Sequence, residues 1–278
     1  MARSLPLPVA ALILPCAALM SACATAPKGV PGSLIAPDAQ LDRERDRPQS
    51  SREQRIDRAA IARSRTLRIE PPAFADGADA DLSPRERDVI LAGVGRALCM
   101  RSASFFELVA ADQPADIALR SEITGVGVTN RGSAVVSLVT GVLSPVPFTP
   151  RWPAGMGGLS VDVVASTADG SDVLALRWAQ GANAFTTNAT PSRIGDAYAL
   201  SDVLGRDVRG LLRDHGNGRR RERVDQSTQR KSEANCVASF GKIDTGVRLA
   251  RFALPLTPEF VEPEAGASAA EQSSRPDR

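Results

Sequence analysis

The chain has 278 residues, a formal net charge of +2 and an aromatic content of only 4%. Near-neutrality removes the electrostatic basis of nucleic-acid binding, which depends on neutralising phosphates, and scarce aromatic side chains argue against a surface for stacking bases or sugars. The single histidine, His215, has no cysteine or histidine neighbour, so we expect no metal site, no cofactor and no histidine-based catalysis.

The N-terminus has the layout of an export signal that ends at a lipidated cysteine. Arg3 opens it, an apolar run follows from Leu5 to Met20, and the small residues Ser21-Ala22 precede Cys23. This pattern predicts a signal peptide over residues 1–22 and acylation of the Cys23 thiol. An unlipidated signal peptide stays open as an alternative. A transmembrane anchor is disfavoured, because prolines interrupt a run shorter than the ~20 residues of a span.

The residues after the signal indicate the compartment. Ala24, and not Asp, follows the lipidated cysteine, which predicts an outer-membrane protein that faces the periplasm. Membrane lipid is then an expected partner, since several acyl chains anchor a protein stably.

Cys99 and Cys236 are the cysteines left unmodified after export, and an oxidising compartment predicts a disulfide between them. Two unpaired thiols remain the alternative.

Residues 23–65 are predicted to be a flexible tether. Residues 24–40 are rich in Pro, Gly and Ala, and residues 41–65 mix arginines with acidic residues and contain few apolar anchors. We expect this stretch to be solvated, or a short helix at most. An alternative is that its arginines contact lipid headgroups or cell-wall anions.

Residues 66–213 carry the periodicities of one α+β domain. Alternation predicts a strand at Thr66–Ile69, and Ser83 with Glu86 forms a capping box that opens a helix. Further strands are predicted at 105–110, 116–126, 159–166 and 173–179, and a last helix at 192–213. The predicted fold is a mainly antiparallel sheet with two helices packed on one face, in the order β-α-β-β-(apolar segment)-β-β-α.

Three further segments complete the organisation. The apolar run 134–146 is expected to be a core helix or hydrophobic loop, or alternatively a surface that meets the membrane or a partner. Residues 214–235 contain Arg219-Arg220-Arg221 and are predicted to be a basic linker. Residues 236–262 are expected to dock on the domain as an apolar segment, and residues 263–278 to be disordered.

The order of these motifs resembles the bacterial lipoprotein family known as domain of unknown function 3313. The matching text is Asp81 to Glu86 at the helix start, Glu122-Ile123-Thr124-Gly125-Val126 at the strand end, the run Ser133 to Ser144, and the hairpin Val161 to Gly170. The resemblance covers about residues 66–213 and implies an envelope lipoprotein. It lends no catalytic residue.

We therefore expect no enzyme but a binding or assembly component of the envelope, with a protein partner of unknown identity and no nucleic acid. One alternative is a carrier or sensor of a small apolar or lipid ligand, suggested by the run 134–146. Another is an envelope hydrolase that uses paired carboxylates, drawn from Asp162, Asp169, Asp172 and Asp196.

Overall fold

The computed structural model of the protein describes residues 25–128, 156–182, 192–214 and 220–242. Within these ranges the chain forms one mostly antiparallel sheet with helices packed against it, which confirms the mixed α+β class. In chain order the elements are β1 Asp42–Arg47, β2 Ser50–Ile56, α1 Arg58–Arg63, β3 Thr66–Ile69, β4 Ala73–Phe74, α2 Pro84–Ser102, β5 Glu107–Leu108, β6 Ile117–Gly127, β7 Gly158–Thr167, β8 Asp172–Gly181, α3 Gly195–Arg213 and α4 Gln226–Phe240.

The eight strands of the described chain lie in the order β1-β2-β8-β7-β6-β3-β5, and β4 also pairs with β6. The long strands β6, β7 and β8 are antiparallel neighbours, whereas β3 and β4 run parallel to β6. The turn between β7 and β8 holds Gly170 at φ 86°, a left-handed conformation that glycine adopts without steric cost. The hairpin expected around Asp169-Gly170 is therefore present.

The apolar core lies between the sheet and the helices. Helix α2 begins as predicted, with the Ser83 backbone N–H donating to Glu86 Oε2 at 2.9 Å and the Glu86 N–H donating to Ser83 Oγ at 3.3 Å. Alternate side chains of the central strands turn toward α2 and α3 because successive residues of a strand face opposite sides. The fully buried ones are Ile117, Leu119, Ile123, Leu159, Val161, Val163, Ala165, Leu174 and Leu176.

A third helix, α4, joins this layer, where only two helices were expected. Helix α4 spans the predicted boundary between the basic linker 214–235 and the apolar segment 236–262, so those two units are not separate in the structure. It packs on α2, and Cys236 and Phe240 are buried. Cys99 of α2 is also buried, because α4 packs on α2 and brings Cys236 against it.

The structure joins Cys99 to Cys236 in a disulfide, with Cα atoms 5.6 Å apart and a sequence separation of 137. Helix α4 is also held by polar contacts at its middle. Ser232 Oγ accepts the Leu108 N–H at 2.9 Å, and the Asn235 amide donates to the Leu108 carbonyl oxygen at 3.0 Å. The C-terminal helix is thus attached both to α2 and to the edge strand β5.

The N-terminal side departs most from the expected tether over residues 23–65. Residues 42–56 form the β1–β2 hairpin, and β2 pairs with β8 along its whole length. The outer strand β1 is exposed at every residue. Its many charged residues therefore belong to a solvent-exposed strand and do not indicate a disordered segment. Arg43 bonds Glu53 across the hairpin at 3.0 Å. A charged edge strand of this kind also prevents pairing with further chains.

Several sequence predictions fall on residues outside the described ranges. These are the signal peptide 1–22, Cys23, the apolar run 134–146, His215 and the tail 263–278. Among the residues that the structure does describe, no helix is both long and apolar enough to cross a bilayer.

Replacing both Cys99 and Cys236 by alanine is expected to lower the free energy of unfolding by about 2–5 kcal/mol, because the cross-link restricts a long loop of the unfolded chain. Urea denaturation of the oxidised protein and of the double variant measures this difference. Peptide mapping of the protein isolated without reductant is the accompanying check. Free alkylation of both thiols there would contradict the disulfide.

Gly205 of α3 is expected to tolerate no side chain. A Cβ at this position would lie 2.7 Å from the Ala97 carbonyl oxygen of α2, so Gly205→Ala has to push the helices apart, at a cost of about 1–3 kcal/mol. Gly210→Ala on the same helix is the matched control. A Cβ there meets no atom within 4 Å, and the better helix propensity of alanine makes it neutral or stabilising by up to ~1 kcal/mol. Equal urea midpoints for the two variants would refute this packing.

Candidate functional site: a charged row beneath the N-terminal strap

The sheet face opposite the helices is crossed by residues 26–39, here named the strap. The Ala26 N–H donates to the carbonyl oxygen of Pro48 in the β1–β2 turn at 2.8 Å, and the Val30 N–H donates to the carbonyl oxygen of Thr124 in β6 at 2.8 Å. Ile35 is buried in a small apolar cluster on β7 and β8. The strap therefore belongs to the folded domain and covers a face that the sequence left to solvent.

Four charged side chains stand in register across neighbouring strands on this face. They are Glu53 on β2, Arg177 on β8, Asp162 on β7 and Glu122 on β6, each directly opposite the next. Cross-strand neighbours have Cβ atoms about 4.5–5.5 Å apart, close enough for their charges to interact. We call this set the charged row. Its three carboxylates outnumber its single guanidinium.

Glu122 holds the strap through both of its carboxylate oxygens. Oε2 accepts the Ser33 N–H at 2.5 Å and the Leu34 N–H at 3.2 Å, and Oε1 accepts the Ser33 hydroxyl at 2.8 Å. Glu122 is 7% exposed. Hydrogen bonds to an ionised acceptor are stronger than neutral ones, so these three donors compensate for removing the carboxylate from water.

Two glycines let the strap approach the sheet this closely. A Cβ on Gly32 would lie 2.6 Å from Glu122 Oε2 and 2.9 Å from Asp162 Oδ2, and a Cβ on Gly29 would lie 2.6 Å from Thr124 Oγ1. A larger residue at either position would have to displace the ends of these side chains. Glycine is therefore favoured here by close contact with the polar side chains of the sheet, not by an unusual backbone angle.

Arg177 fixes the far end of the strap. Its Nη2 donates to the Ala36 carbonyl oxygen at 2.6 Å and to the Ile35 carbonyl oxygen at 3.3 Å, while Nη1 lies 4.0 Å from Glu53 Oε2. Glu53 in turn accepts two bonds from Arg43 of β1. Arg177 thus bonds the strap backbone and lies beside Glu53. Its interaction with Asp162 is the attraction between their opposite charges.

Asp162 is the member of the row without such compensation. It is 6% exposed, and none of the described residues donates a hydrogen bond to its carboxylate. Burial raises the pKa of Asp162 to about 6; Arg177 opposes this shift, and the negative charges of Glu122 and Glu53 add to it. The group is therefore held at the edge of ionisation under near-neutral conditions.

A cavity of about 560 Å³ opens between the strap, the β1–β2 turn and the sheet, and Asp162 lines it. Apolar walls come from strap residues, among them Pro27, Val30, Pro31, Ile35 and Pro37. The cationic side chains of Lys28 and Arg47 also line the cavity, and both residues are exposed. No three His, Cys, Asp or Glu side chains of the described ranges are grouped as a metal site requires.

The four aspartates considered for hydrolysis do not form one site. Asp169 accepts bonds from Thr167 and Ser171 in the β7–β8 turn, and Asp172 accepts the Ser166 hydroxyl at 2.7 Å. Asp196 of α3 accepts the Gly157 N–H at 2.8 Å. Of the four, only Asp162 lines the cavity.

Sequence reasoning did not find the charged row as a unit. Glu122 was noted only within the strand-end motif of the family resemblance, and Asp162 was considered only as one carboxylate of several. The available signal was a charge in the middle of each apolar strand, at Glu122, Asp162 and Arg177. Only the strand register shows that these charges are neighbours.

Comparison with known proteins assigns the family. Residues 32–208 match the family described as Protein of unknown function (DUF3313), and the chain belongs to that family. The matched range begins inside the strap and so includes the β1–β2 hairpin. No curated protein matches the chain.

Two solved structures of a PelC dodecamer from Paraburkholderia phytofirmans are similar at 10% identity, with TM-scores of 0.34 and 0.36; each match covers 59% of this chain and 96% of that one. Similarity this low indicates neither a shared activity nor a shared assembly.

Asp162→Asn is expected to stabilise the protein at neutral pH and to flatten its pH dependence. A carboxyl whose pKa is raised from 3.8 to about 6 on folding contributes stability below pH ~4, and that contribution is lost as the pH rises through 6. Urea denaturation between pH 4 and 7 measures the slope. Ser160→Ala, a neutral change on the same face, should keep the wild-type slope, and an unchanged slope in Asp162→Asn would contradict the assignment.

Proposed function

We propose that the protein is an outer-membrane lipoprotein, anchored through Cys23, whose domain lies against the membrane and binds another envelope component without catalysing a reaction. The signal pattern before Cys23 supports the anchor. Membership of the family agrees with it, since the sequence resemblance to that family implied a lipoprotein.

The observation that carries this proposal is where the strap begins. The Ala26 N–H already bonds the β1–β2 turn, and only two residues separate Ala26 from Cys23. Each residue spans at most ~3.6 Å, so the Cα atoms of Cys23 and Ala26 are within about 11 Å of each other whatever the conformation between them. An anchored chain would hold the strap and the cavity beside the membrane surface.

The helix layer lies on the opposite side of the sheet and offers a surface for a partner. Burial lowers the pKa of Arg209 on α3, and the positive charges of four more arginines lower it further: Arg101, Arg213, Arg206 and Arg223. Asp202 compensates two of them, because it bonds Arg101 and lies 3.5 Å from Arg206. Such a cluster favours an acidic partner, which relieves the mutual repulsion.

A second candidate, a carrier or sensor of a lipid ligand, is favoured by the cavity beneath the strap. The strap contributes an apolar wall to it, it contains a buried carboxylate, and it would lie beside the membrane if Cys23 is the anchor. The apolar run 134–146, which first suggested this function, lies outside the described residues. Paired-carboxylate hydrolysis has no comparable support, because the four aspartates lie at separate places and only Asp162 lines the cavity.

Photo-crosslinking in intact cells tests the proposed arrangement. A photoreactive residue in place of Lys28 on the strap is expected to give lipid adducts, and one in place of Arg206 on α3 is expected to give protein adducts. Inserting ten Gly/Ser residues after Ala24 should reduce the lipid adducts and leave the protein adducts unchanged, since only the distance to the anchor has changed.

Cys23→Ser is the matched control, because it removes the acyl acceptor. We expect unprocessed precursor, no incorporation of labelled fatty acid and no adducts that depend on the anchor. Fatty-acid incorporation into Cys23→Ser would disprove the anchor. Equal lipid adducts with and without the spacer would disprove the position against the membrane, and the absence of protein adducts at position 206 would disprove the binding role of the helix layer.

A further inference from the structure

We propose that the cavity beneath the strap binds an ammonium group through Asp162, and that its ligand is a zwitterionic aminoethyl phosphate of the kind found in phospholipid headgroups. The choice of a headgroup rests on the membrane position proposed above. The ammonium site itself does not, because it follows from the charges and contacts around Asp162.

The first step is the carboxylate. Asp162 is 6% exposed and lines the cavity, yet none of the described residues donates a hydrogen bond to it. Buried polar groups are normally hydrogen-bonded, so one without a donor is costly in a purely structural role. A ligand that supplies N–H donors and a positive charge would remove that cost.

The second step is the contrast with the rest of the charged row. Glu122 is satisfied by the strap, Glu53 by Arg43, and Arg177 by strap carbonyl groups. Asp162 lies in register between Glu122 and Arg177 but receives no bond from either. The fold thus provides a donor for both other carboxylates of the row; Glu53 also lines the cavity, but of the three only Asp162 receives no hydrogen bond from the described residues.

The third step concerns the rest of the ligand. Lys28 and Arg47 line the cavity as exposed cations, which suits an anionic group attached to the ammonium. The apolar strap walls suit a short carbon linker. Asp46 and Glu53 also line the cavity, but Arg43 donates to both carboxylates. A compound with a primary ammonium at one end and a phosphate a few bonds away therefore pairs with Asp162 and with Lys28 and Arg47, whereas a simple cation pairs with Asp162 alone.

Binding should depend on pH in a defined direction. The groups that face Asp162 are Glu122 from β6, Arg177 and the more distant Glu53 from β8 and β2, and the uncharged Gly32 from the strap. An ammonium binds only ionised Asp162, so affinity should fall as the pH decreases through about 6. Ligand binding should in turn lower the pKa of Asp162, because linkage is reciprocal.

Isothermal titration calorimetry on the full lipidated protein in dodecyl maltoside tests the site. The probes are glycerophosphoethanolamine and, as a compound that keeps the phosphate but lacks the amine, glycerophosphoglycerol. We expect binding of the first alone at pH 7.5, weakened at pH 5. Asp162→Asn should weaken it about ten- to one-hundred-fold, as expected for the loss of a charge-assisted hydrogen bond. Asp172→Asn, a carboxylate of the β7–β8 hairpin that does not line the cavity, should bind like wild type.

Equal binding by Asp162→Asn and wild type, equal binding of the two probes, or no binding of glycerophosphoethanolamine would overturn the proposal. Phosphatidylethanolamine added to the micelles shows whether the ligand is a membrane lipid headgroup or a free amino phosphate. Tighter binding of the lipid than of the free compound identifies a membrane headgroup, and the reverse identifies a soluble amino phosphate at the same site. Because these titrations do not depend on location in the cell, their failure is separate from failure of the membrane position.

Discussion

The burial of charge between the strap and the sheet is the constraint on which the rest of the structure depends. A carboxylate taken out of water costs several kcal/mol unless hydrogen bonds replace its hydration. The strap backbone donates such hydrogen bonds to Glu122, and Arg177 donates hydrogen bonds to carbonyl groups of the strap. The strap must therefore follow one path across the sheet, and glycines are needed where that path touches the polar side chains.

The two faces of the sheet are covered through different kinds of interaction. Alternate residues of β6, β7 and β8 present Leu, Ile and Val to α2 and α3, and this face is held by apolar burial. The other face presents the charged row, and hydrogen bonds hold the strap on it. Apolar contact is non-directional and tolerates small shifts, whereas the polar face specifies position. This division explains why the unsatisfied group, Asp162, lies on the strap side.

Both ends of the described chain are attached to the domain, each by a different interaction. The strap attaches the N-terminal side through the backbone of Ala26 and Val30, and the disulfide with Cys236 attaches helix α4. Segments that look like linkers by composition therefore take part in the fold. Under the proposed anchoring through Cys23 the difference matters, because a domain on a short connection samples only the space near the membrane, whereas a long tether would let it move freely.

The sequence by itself determined the elements whose signals are local. The capping box at Ser83, the turn at Gly170 and the alternation of β6 follow from neighbouring residues, and the family resemblance followed from their order. It did not determine the fate of residues 42–56, because a charged strand resembles a solvated linker until a partner strand is known. Nor did it determine the charged row, whose members lie on separate strands. Only the tertiary structure sets the register that brings Glu53, Arg177, Asp162 and Glu122 together, since register depends on contacts between residues far apart in the chain.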